Sequence, residues 1–397
     1  MSDWRDTTLG DFLTLQRGFD LTQKGSTPGD FPVISSGGSN YTTDIAKVDG
    51  PGVVTGRKGV LGKVHWSEGP YWPHDTTLWV KDFKGSNPRF VYYLLQTLRL
   101  ADLDAGAANP TLNRNHAHLL PIRVPGPINQ AAIASSLRAL DDLIENNRRR
   151  VAVLEEMARA IYREWFVKFC YPGHEDVPLV DSALGPIPEG WEVSTCGAEL
   201  NFTGGGTPSK SDPAYWDGGT VAWYTPTDLT KTGWRYSAPS ELAITEQGLA
   251  KSSAKMFPAG SVLMTSRATL GVLAIATTEA TTNQGFIVIL PDERWSPSFI
   301  YEWLESKAGE LAALGTGATF KEITKGSFKR FPFVVPDRSV LNDYRAATEP
   351  VEGQVHVLEQ QIRNLSSLRD LLLPKLVTGQ IDVSSLDLDA LVEGQVA

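Results

Sequence analysis

Cysteine is nearly absent from this chain: 397 residues carry only Cys170 and Cys196. Two thiols make neither a zinc pattern nor a disulfide framework, which excludes a stapled secreted scaffold. Long hydrophobic runs are also missing. None approaches the ~20 residues needed to cross a bilayer, so no membrane partner is expected. The opening MSDWRD is polar and lacks the apolar core of a signal peptide. A reducing, cytoplasmic location is the resulting expectation.

Aromatic and apolar residues are plentiful, with 11 Trp, 11 Tyr, 15 Phe and 41% hydrophobic content. Packed cores follow, and the length suits two domains with connectors rather than one core. The net charge is −9, and it is unevenly spread. Residues 1–128 hold 13 Lys and Arg against 12 Asp and Glu, whereas residues 342–397 hold 4 against 9. Acid therefore gathers at the C-terminal end, and a near-neutral first domain can still present a basic face.

The chain is written twice. Gly52 aligns with Gly260, Arg57 with Arg267, PRFVYYLL from Pro88 with PSFIYEWL from Pro297, and NPTL from Asn109 with GATF from Gly317. PIRVP from Pro121 aligns with PFVVP from Pro332. Trp4 answers Trp191 at a shorter offset, which places an insertion in the second copy around residues 201–250. Each copy begins as mixed α/β. VVT from Val53, TTLWV from Thr76, VLM from Val262 and GFIVIL from Gly285 read as strands. Pro88–Leu100 and Pro297–Ala308 read as short helices opened by proline.

Each copy ends in a long helix with a heptad seam. The first seam runs Ile133, Leu137, Leu140, Ile144, Asn147, Val151, Leu154, Ala158, Ile161, Trp165. The second runs Tyr344, Thr348, Val351, Val355, Leu358, Ile362, Leu365, Arg369, Leu372, Leu376. Pairing of the two helices buries both seams. Pro350 should kink the second helix or delay its start, and Pro374 should disturb its end. The stretch Tyr171–Gly190, broken by Pro172, Gly173, Pro178, Pro186 and Pro188, reads as a loop. The expected fold is therefore α+β: two similar mixed α/β domains separated by an antiparallel two-helix coiled coil with pseudo-two-fold symmetry. The boundaries are 1–128, 129–170, 171–190, 191–340, 341–380 and an acidic tail, 381–397.

No catalytic site is legible. There is no G-x-x-x-x-G-K-[ST] loop, so Gly56–Gly59 does not hold nucleotide phosphate in that way. NPTL has the wrong third and fourth residues for an amino-methyltransferase loop, and no glycine-rich cofactor motif precedes it. His116 and His118 lack a further Cys or His ligand nearby, while His65 and His74 read as structural. A chain that is not an enzyme, with no cofactor or metal of its own, is expected. Two heads on a rod suit a linear partner such as duplex DNA. A helix over residues 133–165 would be about 50 Å long, and neighbouring half-sites on one DNA face lie about 34–36 Å apart. A coiled-coil scaffold whose heads bind protein surfaces is the alternative.

Several segments carry a family resemblance: GPIPEGWEV from Gly185, WYTPTDL from Trp223, GVVTGRKGVLG from Gly52 and GSVLMTSRATLG from Gly260. LEEMARAIYREWF from Leu154 and LRDLLLPKLVTG from Leu368, at the helix ends, add to it. Over essentially its whole length the chain resembles the DNA specificity subunit of Type I restriction–modification systems. The resemblance implies two target recognition domains that each read one part of a split, asymmetric double-stranded DNA site. It also implies a helical pair that sets the gap between those parts. Two methyltransferase (modification) subunits using S-adenosylmethionine are the implied partners. Through them come restriction endonuclease/translocase subunits using ATP and Mg.

Within that frame, arginine suits guanine edges, Asn and Gln suit adenine edges, and lysine suits phosphate. The candidate DNA-binding residues are Ser35, Ser36, Asn40, Arg57, Lys58, Lys63, Asn113 and Arg114 in the first domain. Those in the second are Tyr224, Thr225, Thr227, Arg267, Asn283, Gln284, Lys321 and Lys325. Arg148, Arg149 and Arg150 could track the DNA backbone from the helix. The candidate coiled-coil interface is Leu137, Leu140, Ile144, Val151, Leu154 and Ile161 with Val355, Leu358, Ile362, Leu365 and Leu372.

Overall fold

The computed structural model describes residues 3–103, 111–317 and 321–383. Asn109 and Pro110 of the NPTL run, the last three residues of the GATF run and the acidic end beyond residue 383 lie outside them. The protein is α+β and divides into two compact units, Met1–Asn146 with Gln361–Ala397, and Asn147–Gln360.

The first unit begins β1 (Arg5–Thr8), α1 (Leu9–Phe12), β2 (Thr14–Arg17), β3 (Phe31–Ser35) and β4 (Gly38–Thr43). It continues β5 (Gly52–Gly56), β6 (Val64–Ser67), β7 (Trp72–Pro73), β8 (Thr77–Asp82), α2 (Pro88–Thr97), α3 (Arg114–His118) and β9 (Pro121–Val124). A four-stranded sheet has the order β2-β8-β5-β6, a three-stranded sheet β4-β3-β7, and β1 pairs with β9. β5 is central because GVVTG offers β-branched side chains with no charge, and all five residues are buried. α2 starts where the Asn87 side chain accepts the Phe90 N–H at 3.0 Å and Pro88 takes the first turn. Its Phe90, Val91, Leu94 and Leu95 are buried, each contributing about 1.5–3 kcal/mol.

The first long helix, α4 (Pro127–Tyr162), follows. Beyond it the second unit holds β10 (Leu179–Ser182), β11 (Gly185–Pro188), β12 (Glu192–Thr195), α5 (Cys196–Glu199) and β13 (Phe202–Thr203). Next come β14 (Val221–Tyr224), α6 (Pro226–Thr232), β15 (Leu242–Ile244), α7 (Glu246–Ala250), β16 (Val262–Thr265), β17 (Leu273–Ile275), β18 (Thr281–Thr282) and β19 (Phe286–Ile289). The unit continues with α8 (Pro297–Ser306), α9 (Ala308–Ala313), α10 (Lys325–Lys329), β20 (Pro332–Val335) and the start of α11 (Arg338–Val377). The sheets β13-β19-β16-β17, β15-β14-β18 and β12-β20 repeat the first unit strand for strand. β3 and β4 form a direct hairpin, whereas α6 and residues 233–241 separate β14 from β15. The extra length of the second copy is thus largely there.

Hydrogen bonding corrects the repeat register. The Arg57 N–H donates to the Thr76 carbonyl at 2.8 Å, and the Ser266 N–H to that of Gly285 at 2.8 Å. Gly56 donates to Lys63 just as Thr265 donates to Val272. The two ladders match at one constant offset, which makes Ser266 the counterpart of Arg57 and Lys58 that of Arg267. Alignment by residue identity had paired the two arginines, one position out.

The long helices run antiparallel within each unit. In the first, an Arg369 guanidinium nitrogen lies 3.2 Å from the Asp141 carboxylate, joining early α4 to late α11. In the second, Tyr162 and Trp165 lie with ring centroids 6.2 and 5.9 Å from Tyr344, joining the end of the first helical segment to early α11. Leu137, Leu140, Ile144, Val355, Leu358, Ile362, Leu365 and Leu372 are buried, while Val151, Leu154 and Ile161 are half-buried. Pro350 does not delay α11, which starts at Arg338 and passes through it, and Pro374 lies three residues before the helix end. The connector is not a plain loop: β10 and β11 form an antiparallel hairpin, and Tyr171 stacks on Trp191 at 5.5 Å.

Arg235, in the inserted segment, is 1% exposed and holds the second sheet system to α11. Its guanidinium donates twice to Glu352 (2.8 and 2.7 Å) and once to Glu302 on α8 (2.7 Å), over the Tyr301 ring at 4.1 Å. The backbone N–H groups of Arg235 and Tyr236 both donate to the Glu359 carboxylate, at 2.8 and 2.9 Å. Removing one partner of such a pair strands the others in a dry site. Arg235→Ala should therefore destabilise the second unit by about 3–5 kcal/mol, measured by thermal or denaturant unfolding. Burial, opposed by Arg235, pushes the Glu302 carboxyl up to about 7. Because this pKa is raised on folding, its stabilising contribution is complete below the unfolded carboxyl range and lost as pH rises through about 7. Melting temperatures of wild type and Glu302→Gln should show wild type losing ground to the variant from pH 5 to pH 8. A constant difference would reject this assignment.

Candidate nucleic-acid interface

In the first unit, β2 ends at Arg17 against the turn between β7 and β8. A Cβ on Gly18 would stand 2.1 Å from the His74 carbonyl oxygen, so only glycine lets the strand end lie there. The Phe19 N–H then donates to the Pro73 carbonyl at 2.8 Å. This contact sets Arg17 beside Asp75, Nη2 to Oδ2 at 2.9 Å. Arg57 leaves the end of β5 nearby, with Nη1 3.5 Å from the Asp75 carbonyl. Its own carbonyl accepts the Leu112 N–H at 2.9 Å, bringing in the turn that starts α3. Asn113 caps α3, accepting the Asn115 N–H at 2.9 Å, and Arg114 is its first residue.

Arg17, Arg57, Asn113 and Arg114 thus line one cavity of 430 Å³. A shallower recess of 630 Å³ adjoins it through Arg17 and Arg114 and adds Lys47, whose ammonium lies 5.1 Å from the Trp72 ring. Four cations meet Asp20 and Asp75 here, a net positive concavity on a near-neutral domain.

The second unit builds the same place from different residues. A Cβ on Gly205 would stand 1.9 Å from the Thr282 carbonyl oxygen, as Gly18 does against its turn. Gly204 therefore stands where Arg17 does, and Asn283 and Gln284 where His74 and Asp75 do. Lys325, the first residue of α10, corresponds to Arg114, and its side chain fills the space over Gly204. The Thr207 hydroxyl donates to the Gln284 amide oxygen at 2.7 Å, and the Gly285 N–H to that of Asn283 at 2.8 Å. Arg267 is ion-paired with Glu322 at 2.8 Å.

The structure thus groups Arg57, Asn113 and Arg114 in one cleft, and sets Asn283, Gln284 and Lys325 at the equivalent place of the second unit, where the Lys325 side chain fills the space. Lys58, Lys63 and Lys321 are exposed, and Lys63 donates to the Gly37 carbonyl at 3.3 Å beside the β3–β4 turn. Asn40 is exposed on β4 and Thr227 on α6, while Arg148, Arg149 and Arg150 are exposed on α4. Two candidates are corrected by burial. Tyr224 is 1% exposed with its hydroxyl donating to the Ala238 carbonyl, so it is a core residue. Ser36 is 9% exposed, with its N–H given to Thr76 and its carbonyl beside His65 Nε2. Ser35 bonds the Gly38 carbonyl across the hairpin, and Thr225 caps α6 in a capping box with Asp228. Both side chains serve their turns.

Sequence reasoning missed Arg17 and Asp75, and read the neighbouring His74 as structural. Arg17 and Asp75 lie 58 positions apart, and their counterparts Gly204 and Gln284 do not resemble them. The useful signal was the glycine common to RGF and TGGG, at the shorter offset that relates the two N-terminal parts.

The histidines are structural where buried. Burial pushes the His118 pKa down, aided by Arg114 and Lys84, and its Nε2 accepts the Leu15 N–H at 2.9 Å. Burial likewise pushes His65 down. Among the described residues no group of three or more His, Cys, Asp or Glu could hold a metal ion. No described helix is long and apolar enough to cross a membrane.

Residues 1–156 and 188–340 match the family described as the Type I restriction modification DNA specificity domain. The chain is 32% identical over 189 residues to the Type I restriction enzyme MjaIX specificity subunit of Methanocaldococcus jannaschii. That match covers 45% of this chain and 44% of the relative, less than half of each. It is 26% identical over 302 residues to the EcoR124I/EcoR124II specificity subunit of Escherichia coli, covering 72% of this chain and 70% of that one. The crystal structure of the S subunit of a Type I restriction–modification system from M. genitalium shares the fold, with a TM-score of 0.65 at 15% identity over 95% of this chain and 96% of that one. With the family matching most of its length in two segments, the chain belongs to the Type I restriction–modification DNA specificity family.

Proposed function

We propose that this chain is the sequence-reading subunit of a Type I restriction–modification complex and is not itself catalytic. Each recognition domain, residues 1–128 and 191–340, reads one part of a split, asymmetric site in double-stranded DNA. The helical segments 129–170 and 341–380 form the coiled coil that sets the gap, with 171–190 as connector. Two modification subunits dock on the chain and bring S-adenosylmethionine-dependent adenine methylation, and endonuclease/translocase subunits join through them. The observation that carries this reading is the repeated convergence at Gly18 and Gly205. Two sets of residues, distant in sequence, converge at equivalent places in two duplicated folds, each with a cation opening the helix after the cleft (Arg114 and Lys325). Backbone amides and fixed cations at such a place suit phosphate, and the polar side chains beside them suit base edges.

The overall charge of −9 fits a chain whose partners supply part of the DNA clamp. The isolated chain should bind DNA weakly and the reconstituted complex tightly, with random and selected duplexes separated by mobility shift. Equal affinity of both at the same salt would reject the shared clamp. A complex indifferent to sequence would favour a scaffold without DNA specificity. Lysine and arginine contacts to phosphate release counterions, so their loss flattens the salt dependence of binding. For Arg114→Gln the slope of log K against log salt should fall by about 1, with all duplexes weakened alike.

A further inference from the structure

Arg17 differs from the other cations of the first cleft in how it is held. Its Nη2 lies 2.9 Å from Asp75 Oδ2, and the other oxygen of that carboxylate is 3.1 Å from His74 Nδ1. The Asp75 side chain is only 17% exposed, while that of Arg17 is 50% exposed and lines the 430 Å³ cavity. Gly18 fixes the backbone beneath it. Arg57, by contrast, touches Asp75 only through a backbone carbonyl at 3.5 Å. A guanidinium held at one nitrogen by a half-buried carboxylate is aimed, and its remaining N–H donors stay available as a planar fork. Such a fork matches a base edge with two adjacent acceptors. Guanine presents O6 and N7 in this way, whereas adenine sets its N6 donor beside N7 and opposes a second N–H.

We propose that Arg17, buttressed by Asp75, is a specificity-determining residue that fixes a guanine in the part of the site read by the first recognition domain. The proposal rests on the DNA-reading function given above. The second domain has no such fork at the equivalent place: Gly204 replaces Arg17 and the neutral Gln284 replaces Asp75. The guanine requirement set by this position therefore belongs to one half-site only, and the two clefts make the site chemically asymmetric.

The test is selection of bound duplexes from a random pool by the reconstituted complex, carrying wild-type chain, Arg17→Lys or Asp75→Asn. Wild type should select a split motif with a fixed guanine in one half. Arg17→Lys keeps the charge but loses the fork. That one position should become degenerate, and affinity for the guanine duplex should fall by roughly 5- to 150-fold. The other half-site, serving as the folding control, should stay unchanged. Asp75→Asn should loosen the same position. An unchanged motif in Arg17→Lys, loss at a base other than guanine, or even blurring of the whole half-site would each overturn the proposal. A wild-type complex that selects no split motif would instead sink the DNA-reading function itself, and this inference with it.

Discussion

Two backbone contacts decide where each of the two units gathers its polar side chains. At Gly18 and Gly205 the end of an edge strand presses onto the carbonyl of a neighbouring turn so closely that no Cβ fits. The strand end, the turn before the last sheet strand and the start of a short helix are thereby drawn together. Everything proposed about recognition, from the Arg17–Asp75 pair to the Lys325 side chain over Gly204, depends on that approach. The backbone frame is identical in plan in both units, and the side chains placed on it are not. A duplicated scaffold with diverged clefts is what reading two different half-sites would require.

Much of this was legible in the sequence because it is local. Proline at the first turn marked α2 and α8, and β-branched or apolar runs marked β5 and β16. The heptad seams were visible because burial on a long helix leaves a period in the chain. The repeat register was one residue out around Arg57, since two arginines in glycine-rich turns look alike while hydrogen-bond ladders are invisible in sequence. Pro350 was expected to limit α11. One lost N–H is a small defect within a 40-residue helix whose Tyr344, Val355 and Leu358 are buried on either side of it. Tyr224 looked like a reader in WYTPTDL, but its ring is core and its hydroxyl is satisfied by Ala238. Asp75 could not have been found, because its meaning comes from Arg17, 58 positions away.

The two units also hold their helical segments by different chemistry. In the first, Tyr93 donates to Asp141 at 2.6 Å and Arg369 reaches the same carboxylate. This explains how an arginine can occupy a seam position. In the second, the equivalent of Asp141 is Glu352, and Arg235 from the insertion occupies it with one edge of its guanidinium, Nε and Nη2. The inserted segment is thus a fastening that the first copy lacks. A dry site with one cation and three carboxylates is unforgiving of substitution, and its value lies in directionality rather than net stabilisation.

Each compact unit takes its helical layer from both α4 and α11, while each set of sheets is one continuous stretch of chain. The first sheet system closes with β9 at Val124, and α4 begins three residues later at Pro127. A genetic crossover in that short hinge and another upstream would replace the entire first sheet system while leaving both helical seams as they were. A new set of side chains around Gly18 could then arrive as a single coding block, provided that it brings a partner for Asp141 on the retained helix, as Tyr93 does here.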